Sequence, residues 1–217
     1  MLLYFFVGFY LLVVAVQLFA CANKNLLMLR RVSKCLLMPL LAACYMLISH
    51  EPSSFVVVAI LSGFVGDLVL LFRPRKWAFP TGMLAFTVGH AFYIASFWGR
   101  ILVSPAWYML VALAVFALSA AGTLLHYLWL RLPKKLRIPS YVYMLVIGAM
   151  ASSAVLFALY SSAPLRWLGA IGGILFTISD TTLSIDAFHH PVRYRNVIVM
   201  STYILAQTLI VVSLAFR

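Results

Sequence analysis

The sequence predicts an all-α, polytopic membrane protein of eight transmembrane helices, and three observations lead there. Hydrophobic residues make up 65% of the chain and charged residues 9%, with a mean hydropathy of +1.09, whereas soluble domains keep their apolar share near half. Apolar stretches of roughly 20 residues, the length a helix needs to cross the hydrocarbon core, recur eight times. Basic residues gather in alternate connections, as the positive-inside rule requires of a multispan chain.

The spans follow in order. The first, 2–22, lacks the basic n-region and small-x-small cleavage site of a signal peptide. Phe19 is too bulky for the lipoprotein box that Leu18–Cys21 resembles, so a retained span is expected. The second, 33–49, opens with Lys34 and contains Pro39. The third, 54–72, holds Asp67 within LSGFVGDLVLLF, beside Gly63 and Gly66. The fourth, 80–98, carries His90 near mid-membrane and Tyr93 one turn on; the fifth covers 105–129. The sixth, 140–160, has Tyr143 just inside it. The seventh, 166–186, holds Asp180 within GGILFTISDTTLSIDAF, near Gly169, Gly172 and Gly173. The eighth, 197–216, presents Tyr203 and Gln207 at i and i+4, one above the other. Connections this short leave no room for a soluble domain, so 1–217 reads as a single transmembrane domain.

The formal net charge is +12, which in a soluble protein would suggest nucleic acid. Position decides otherwise. Lys24, Arg30, Arg31, Lys34, Arg73, Arg75, Lys76, Arg131, Lys134, Lys135, Arg137, Arg193 and Arg195 sit at the connections after spans one, three, five and seven, which is 13 of the 16 basic residues. Only Arg100, Arg166 and Arg217 lie on the other side. Both termini are therefore expected outside, with the basic loops in the cytoplasm against anionic headgroups. No nucleic-acid motif accompanies them. Cys21, Cys35 and Cys44 are odd in number and lack CxxC spacing, so they read as packing residues.

Asp67 to His90 and Asp180 to Tyr203 are both 23-residue intervals, each bridging two spans across a basic loop. The pattern predicts two parallel four-span halves, 1–104 and 105–217, with the aspartates in related positions. Asp67 lies six residues before Arg73, hence about 9 Å from the cytoplasmic end of its span. Asp180 lies at a similar distance, so the two share a layer in the inner-leaflet half. Asp186, six residues on, points to another helix face.

The chain has four acidic residues, and placing two inside lipid-compatible stretches is a chemical statement. An ionisable residue within a span is a functional-site hypothesis by default. The glycines read as helix-packing residues, since small side chains let backbones approach, but close packing needs no carboxylate. His90, Tyr203, Gln207 and Tyr143 agree with the aspartates in depth; singly, each also fits a structural or interfacial role. HExxH and GxSxG are absent, and His189-His190 are adjacent in a loop. No metal or other cofactor is expected, although an Asp67, His90, Asp180 oxygen and imidazole set would suit several metals.

The segments GDLVLLF with GHAFYIAS, and LFTISDTTLSIDAF with STYILAQTLI, resemble the paired motifs of the YhhN-like lysoplasmalogenase family. The resemblance extends more weakly to Lys34-Cys35 and to Pro139, Tyr141 and Tyr143. It implies a multispan membrane enzyme that cleaves the vinyl-ether bond of lysoplasmalogens to a fatty aldehyde and a glycerophospho-base. The intramembrane aspartates proposed as catalytic in that family fall on Asp67 and Asp180. The expected partners are a lysophospholipid substrate and membrane lipids, in the plasma (inner) membrane if the chain is bacterial.

Vinyl ethers hydrolyse by protonation on carbon, giving an oxocarbenium ion that water captures. Two carboxylates in a low-dielectric layer that share one proton can supply the acid and the compensating charge. On this reading Tyr203, Gln207 and His90 position water or the glycerol hydroxyl, Tyr143 joins the binding site, and Lys34 meets the phosphate. A proton- or ion-coupled transporter also predicts repeated halves and intramembrane carboxylates, but matched Gly/Pro breaks are absent. A non-catalytic lipid-binding protein is the third reading.

Overall fold

The computed structural model describes residues 1–23, 25–72, 75, 77–128 and 131–216. Lys24, Arg73, Lys76 and Arg217, counted above among the basic residues, and Trp129 at the end of the fifth predicted span lie outside the described residues. Eight helices follow one another: α1 (Leu2–Ala22), α2 (Leu27–Ile48), α3 (Ser54–Leu70), α4 (Ala78–Trp98), α5 (Trp107–Leu128), α6 (Lys134–Tyr160), α7 (Arg166–Phe188) and α8 (Arg195–Ala215). Among the described residues there is no strand.

Six of these helices, α1, α2, α4, α6, α7 and α8, are long and apolar enough to cross a membrane; α3 is apolar but has 17 residues. The outer surface is that of a protein solvated by lipid. Large apolar side chains such as Phe5, Leu84, Trp107, Trp167 and Ile174 face outward over the bundle, where a water-soluble protein would have an aggregation-prone patch. The chain is an integral, multi-pass membrane protein.

Two helix starts differ from the sequence expectation in the same way. α2 begins at Leu27 rather than 33, and α6 at Lys134 rather than 140. Apolar count locates the lipid-crossing part of a helix, but backbone hydrogen bonding continues into the polar interface wherever Leu, Arg and Lys, all good helix formers, supply the turn. Arg30, Arg31 and Lys34 therefore lie on one helix, with Arg30 and Lys34 at i and i+4. Pro39 sits within the same helix, where it cannot donate to the carbonyl of Cys35.

The bundle is organised around two tightly packed antiparallel pairs, α3 with α4 and α7 with α8; α6 lies against both α4 and α7, and α1 and α2 close the other side. Small residues permit the closest contacts. A Cβ added to Gly172 would stand 2.9 Å from the carbonyl oxygen of Ala206 and 2.8 Å from Cγ1 of Ile210, so α7 and α8 meet there backbone to backbone. The interior is filled by Tyr93, Phe97, Phe157, Phe176, Ile60 and Leu214, all below 2% exposed.

A methyl group at Gly172 cannot be accommodated by rotating a side chain, because backbone blocks it. Gly172→Ala should lower stability by about 1–3 kcal/mol, the range for overpacking, read by thermal unfolding in detergent. Gly8→Ala, whose Cβ would meet nothing within 4 Å, should show no loss.

Candidate active site

The two aspartates of α3 and α7 lie at one end of the bundle, around a cavity of about 340 Å³. Asp67 and Asp180 both line it, together with Lys34, Tyr143 and Tyr203. Asp67, on α3, is 3% exposed. Its Oδ1 lies 2.9 Å from Nζ of Lys34 on α2, and its Oδ2 accepts a hydrogen bond of 2.8 Å from the Tyr203 hydroxyl on α8. Asp180, on α7, is half-buried and accepts a hydrogen bond through Oδ2 from the hydroxyl of Tyr143 on α6. Each carboxylate thus has one phenol donor from a neighbouring helix. Asp67 alone has a cation, since Asp180 has no ion pair among the described residues.

Buried carboxylates persist only where charge and lone pairs are matched, and the helix contacts explain how this is done. One turn before Asp67, Gly63 leaves α3 bare. A Cβ there would stand 3.3 Å from Nε2 of Gln207 and 3.4 Å from the hydroxyl of Tyr203. The missing side chain lets the Tyr203–Gln207 edge of α8 reach α3, and the phenol then meets Asp67. Gln207 in turn accepts a 2.6 Å hydrogen bond from Tyr93 of α4. Behind the carboxylates, Phe86, Phe176 and Tyr203 contact one another at ring angles of 69° to 87°. Such edge-to-face packing forms a rigid apolar wall.

His90 and Gln207 do not line the cavity. His90 is 1% exposed, edge-on to Phe176 at 4.5 Å between ring centroids and 6.0 Å from the Tyr143 ring. Neither of its ring nitrogens has a partner among the described residues. Both residues occupy the layer behind the two tyrosines. No group of three or more His, Cys, Asp or Glu side chains gathers as a metal site among the described residues, so Asp67, His90 and Asp180 do not form one. Asp186 lies apart, bonded to the backbone N–H of Val192 and paired with Arg195 at 3.2 Å.

Arg30, Arg31, Arg195 and Asn196 also line the cavity, toward its basic end. Sequence reasoning counted these arginines as topology charges and did not consider Asn196 for the site. With α2 beginning at 27 and α8 at 195, they fall on helices; Arg30, Arg195 and Asn196 are partly buried and Arg31 lies exposed at the cavity's edge. The i, i+4 spacing of Arg30 and Lys34 was the available signal, and starting the second span at 33 concealed it. Apolar side chains including Met83, Leu128, Leu132 and Met144 complete the lining.

The protein is thus a helical membrane bundle with two aspartates in one cavity, basic residues at the cavity's end and apolar side chains along it. Residues 29–214 match the YhhN family, and the chain belongs to that family. It is 31% identical over 170 residues to lysoplasmalogenase TMEM86A of Bos taurus, covering 77% of this chain and 68% of that protein. To lysoplasmalogenase TMEM86B of Sus scrofa it is 34% identical over 157 residues, 72% of this chain and 62% of that protein. A lysoplasmalogenase of Mycobacterium tuberculosis (strain CDC 1551 / Oshkosh) is 31% identical over 140 residues, 62% of this chain and 50% of that protein. No solved structure matches significantly.

The Lys34–Asp67 pair yields a thermodynamic prediction. Lys34→Met strands a buried carboxylate and should destabilise the protein by about 3 kcal/mol, the lower end for breaking a buried pair because the Lys34 side chain keeps 18% exposure. Lys34→Met with Asp67→Asn should recover more than half of that loss in a double-mutant cycle read by detergent unfolding; additive losses would contradict the coupling.

Proposed function

We propose that this protein is a membrane-embedded lysoplasmalogenase that hydrolyses the vinyl-ether bond of a lysophospholipid to a fatty aldehyde and a glycerophospho-base. The observation that carries the reading is the pair of tyrosine-bonded carboxylates in one cavity, in a chain whose relatives are named lysoplasmalogenases. All eight helices cross the membrane in this reading, with both termini extracytoplasmic. Residues 1–104 and 105–217 form its two related halves.

The charges assign the roles. Lys34 balances one carboxylate, and a second uncompensated charge in the same low-dielectric cavity is unfavourable. Asp67 is therefore the anion and Asp180 carries the proton. The substrate's phosphate lies at the basic mouth, its alkenyl chain among the apolar lining, and its vinyl ether between the aspartates. Asp180 protonates the vinyl carbon remote from oxygen, and positive charge develops on the adjacent carbon and the ether oxygen. The Asp67 carboxylate stabilises that cation and takes a proton from the water that adds to it, as carboxylate pairs act on glycosides. The hemiacetal then breaks its bond to the glycerol oxygen, which receives a proton, and the aldehyde leaves. Asp67 gives the glycerol oxygen its proton and Asp180 takes the proton of the hemiacetal hydroxyl, which restores the starting state of the pair.

Tyr143 and Tyr203 orient the carboxylates; His90, whose ring lies 6.0 Å from that of Tyr143, and Gln207, bonded to Tyr93 and one turn from Tyr203, are positioning residues behind them. The transport reading requires a route to both faces. The helical residues lining the cavity come from the basic ends of their helices, Gln17 and Cys21 of α1 included, and Leu71 and Leu132 from the connections there, which favours a one-sided pocket.

Purified protein should release fatty aldehyde from lysoplasmalogen. Asp67→Asn and Asp180→Asn should each lower kcat by about 10²–10⁴-fold, the range for loss of general acid–base catalysis; full activity in either variant would overturn the paired mechanism. The proposed topology is tested with a membrane-impermeant thiol reagent on intact cells. Ser104→Cys should be labelled and Arg193→Cys should not.

A further inference from the structure

Two hydroxyls on the cavity wall have no part in the proposed hydrolysis. Ser140 of α6 and Ser184 of α7 both line the cavity. α6 starts at the basic end and α7 finishes there, so Ser140 stands three residues nearer that end than Tyr143, and Ser184 four residues nearer than Asp180. At about 1.5 Å per residue those offsets are about 4.5 Å and about 6 Å. Because Tyr143 and Asp180 are bonded to each other, the two serines fall in one layer, a single turn from the carboxylates, on helices that pack together.

Other hydroxyls of the bundle are satisfied by the protein itself. Those of Thr87, Ser96, Ser153, Thr177 and Thr208 each donate to a carbonyl of their own helix, the usual resort of such a group among apolar neighbours. Ser179, which also lines the cavity, donates to the Val199 carbonyl of α8 at 3.1 Å. Ser140 does neither. It is 3% exposed, and its hydroxyl reaches only Sδ of Met83, at 4.0 Å, a weak acceptor. The hydroxyl of Ser184, on a half-buried residue, has no hydrogen-bond partner among the described residues. Hydroxyls left in this state favour a ligand that can bond to them.

The layer coincides with a defined part of the substrate. The glycerol carbons separate the ether oxygen of a 1-alkenyl lysolipid from its phosphate, and the middle carbon bears the free hydroxyl. With the vinyl ether between Asp67 and Asp180 and the phosphate at the basic end, that hydroxyl lies on the basic side of the carboxylates, at the depth of Ser140 and Ser184. A hydroxyl both donates and accepts, so it can donate to one serine and accept from the other. Met83 and Leu183 supply apolar surface in the same layer.

We propose that Ser140 and Ser184 bind the free 2-hydroxyl of the substrate's glycerol and thereby hold the vinyl ether in register with the carboxylate pair. The proposal rests on the hydrolase reading above and assigns the residues that recognise the unesterified position of the lysolipid. An ester there has no proton to donate and brings a second chain into the layer.

The test uses the purified full chain in neutral detergent, with 1-alkenyl-glycerophosphoethanolamine and its 2-deoxy counterpart built on propane-1,3-diol. Wild-type kcat/KM for aldehyde release should favour the 2-hydroxy substrate by about tenfold or more, since the 2-deoxy compound leaves both serine hydroxyls unpaired. Ser140→Ala and Ser184→Ala should each reduce that ratio by about three- to tenfold, the effect of one hydrogen bond. A merely structural serine would lower turnover of both substrates alike and leave the ratio intact. Ser184→Ala, at a half-buried position, supplies the comparison if Ser140→Ala does not fold. Binding of the saturated 1-alkyl analogues, with and without the 2-hydroxyl, should show the same preference in wild type and its reduction in the variants. Equal turnover of the two substrates by wild type would overturn the proposal, and an unchanged ratio in a folded variant would overturn that serine's part in it. If neither substrate yields aldehyde, the hydrolase reading fails and the binding comparison alone decides the hydroxyl site.

Discussion

The contact on which the rest of the structure depends is the three-way bond at Asp67: the Lys34 ammonium at 2.9 Å on one oxygen and the Tyr203 hydroxyl at 2.8 Å on the other. A carboxylate at 3% exposure in a lipid-solvated bundle is tolerable only when matched. The match requires α2, α3 and α8 to sit in one register. Gly63 makes the approach of α8 feasible, and Gln207 continues the contact one turn on through Tyr93 of α4. In a membrane, where apolar burial barely distinguishes one helix arrangement from another, polar contacts of this kind help to select the arrangement.

Around that contact the bundle is asymmetric from end to end. The half away from the basic loops is filled with tightly packed apolar side chains such as Phe97, Phe157 and Leu214. The other half holds an open cavity whose floor is acidic and whose rim is basic. In the proposed function this polarity suits an amphiphile entering from the basic end, with its phosphate at the arginines, its hydrocarbon along Met83, Leu128 and Met144, and its vinyl ether between the aspartates. The aromatic wall of Phe86, Phe176 and Tyr203 is packed edge to face, which fixes the geometry of the floor.

Much of this was legible in the sequence, for identifiable reasons. Helical spans show in composition, and a carboxylate in an apolar stretch is rare enough to read singly; Asp67 and Asp180 needed no structure to be chosen. Depth followed from helical rise, which is why Lys34, Tyr143 and Tyr203 were also found. Azimuth did not follow. Whether a residue at the correct depth faces the cavity or the layer behind it depends on helix rotation, and His90 and Gln207 share the layer but not the lining. The basic rim was missed for a different reason. Hydropathy marks where lipid ends, whereas α2 and α8 continue as helices beyond it, so Arg30 and Arg195 looked like loop charges until their helix starts were seen. Their charge was visible throughout, and a topological explanation sufficed for it.

In the proposed mechanism an acid within the cavity delivers a proton to the vinyl carbon while Asp67 compensates the resulting cation. Hydrolysis in D₂O, with the aldehyde reduced as it forms, tests it most directly. Delivery from Asp180 predicts a single deuterium on the carbon next to the former carbonyl, in one configuration, because the acid lies on one side of the bound alkene. Product without deuterium at that carbon, or with deuterium in both configurations equally, would contradict proton delivery by Asp180.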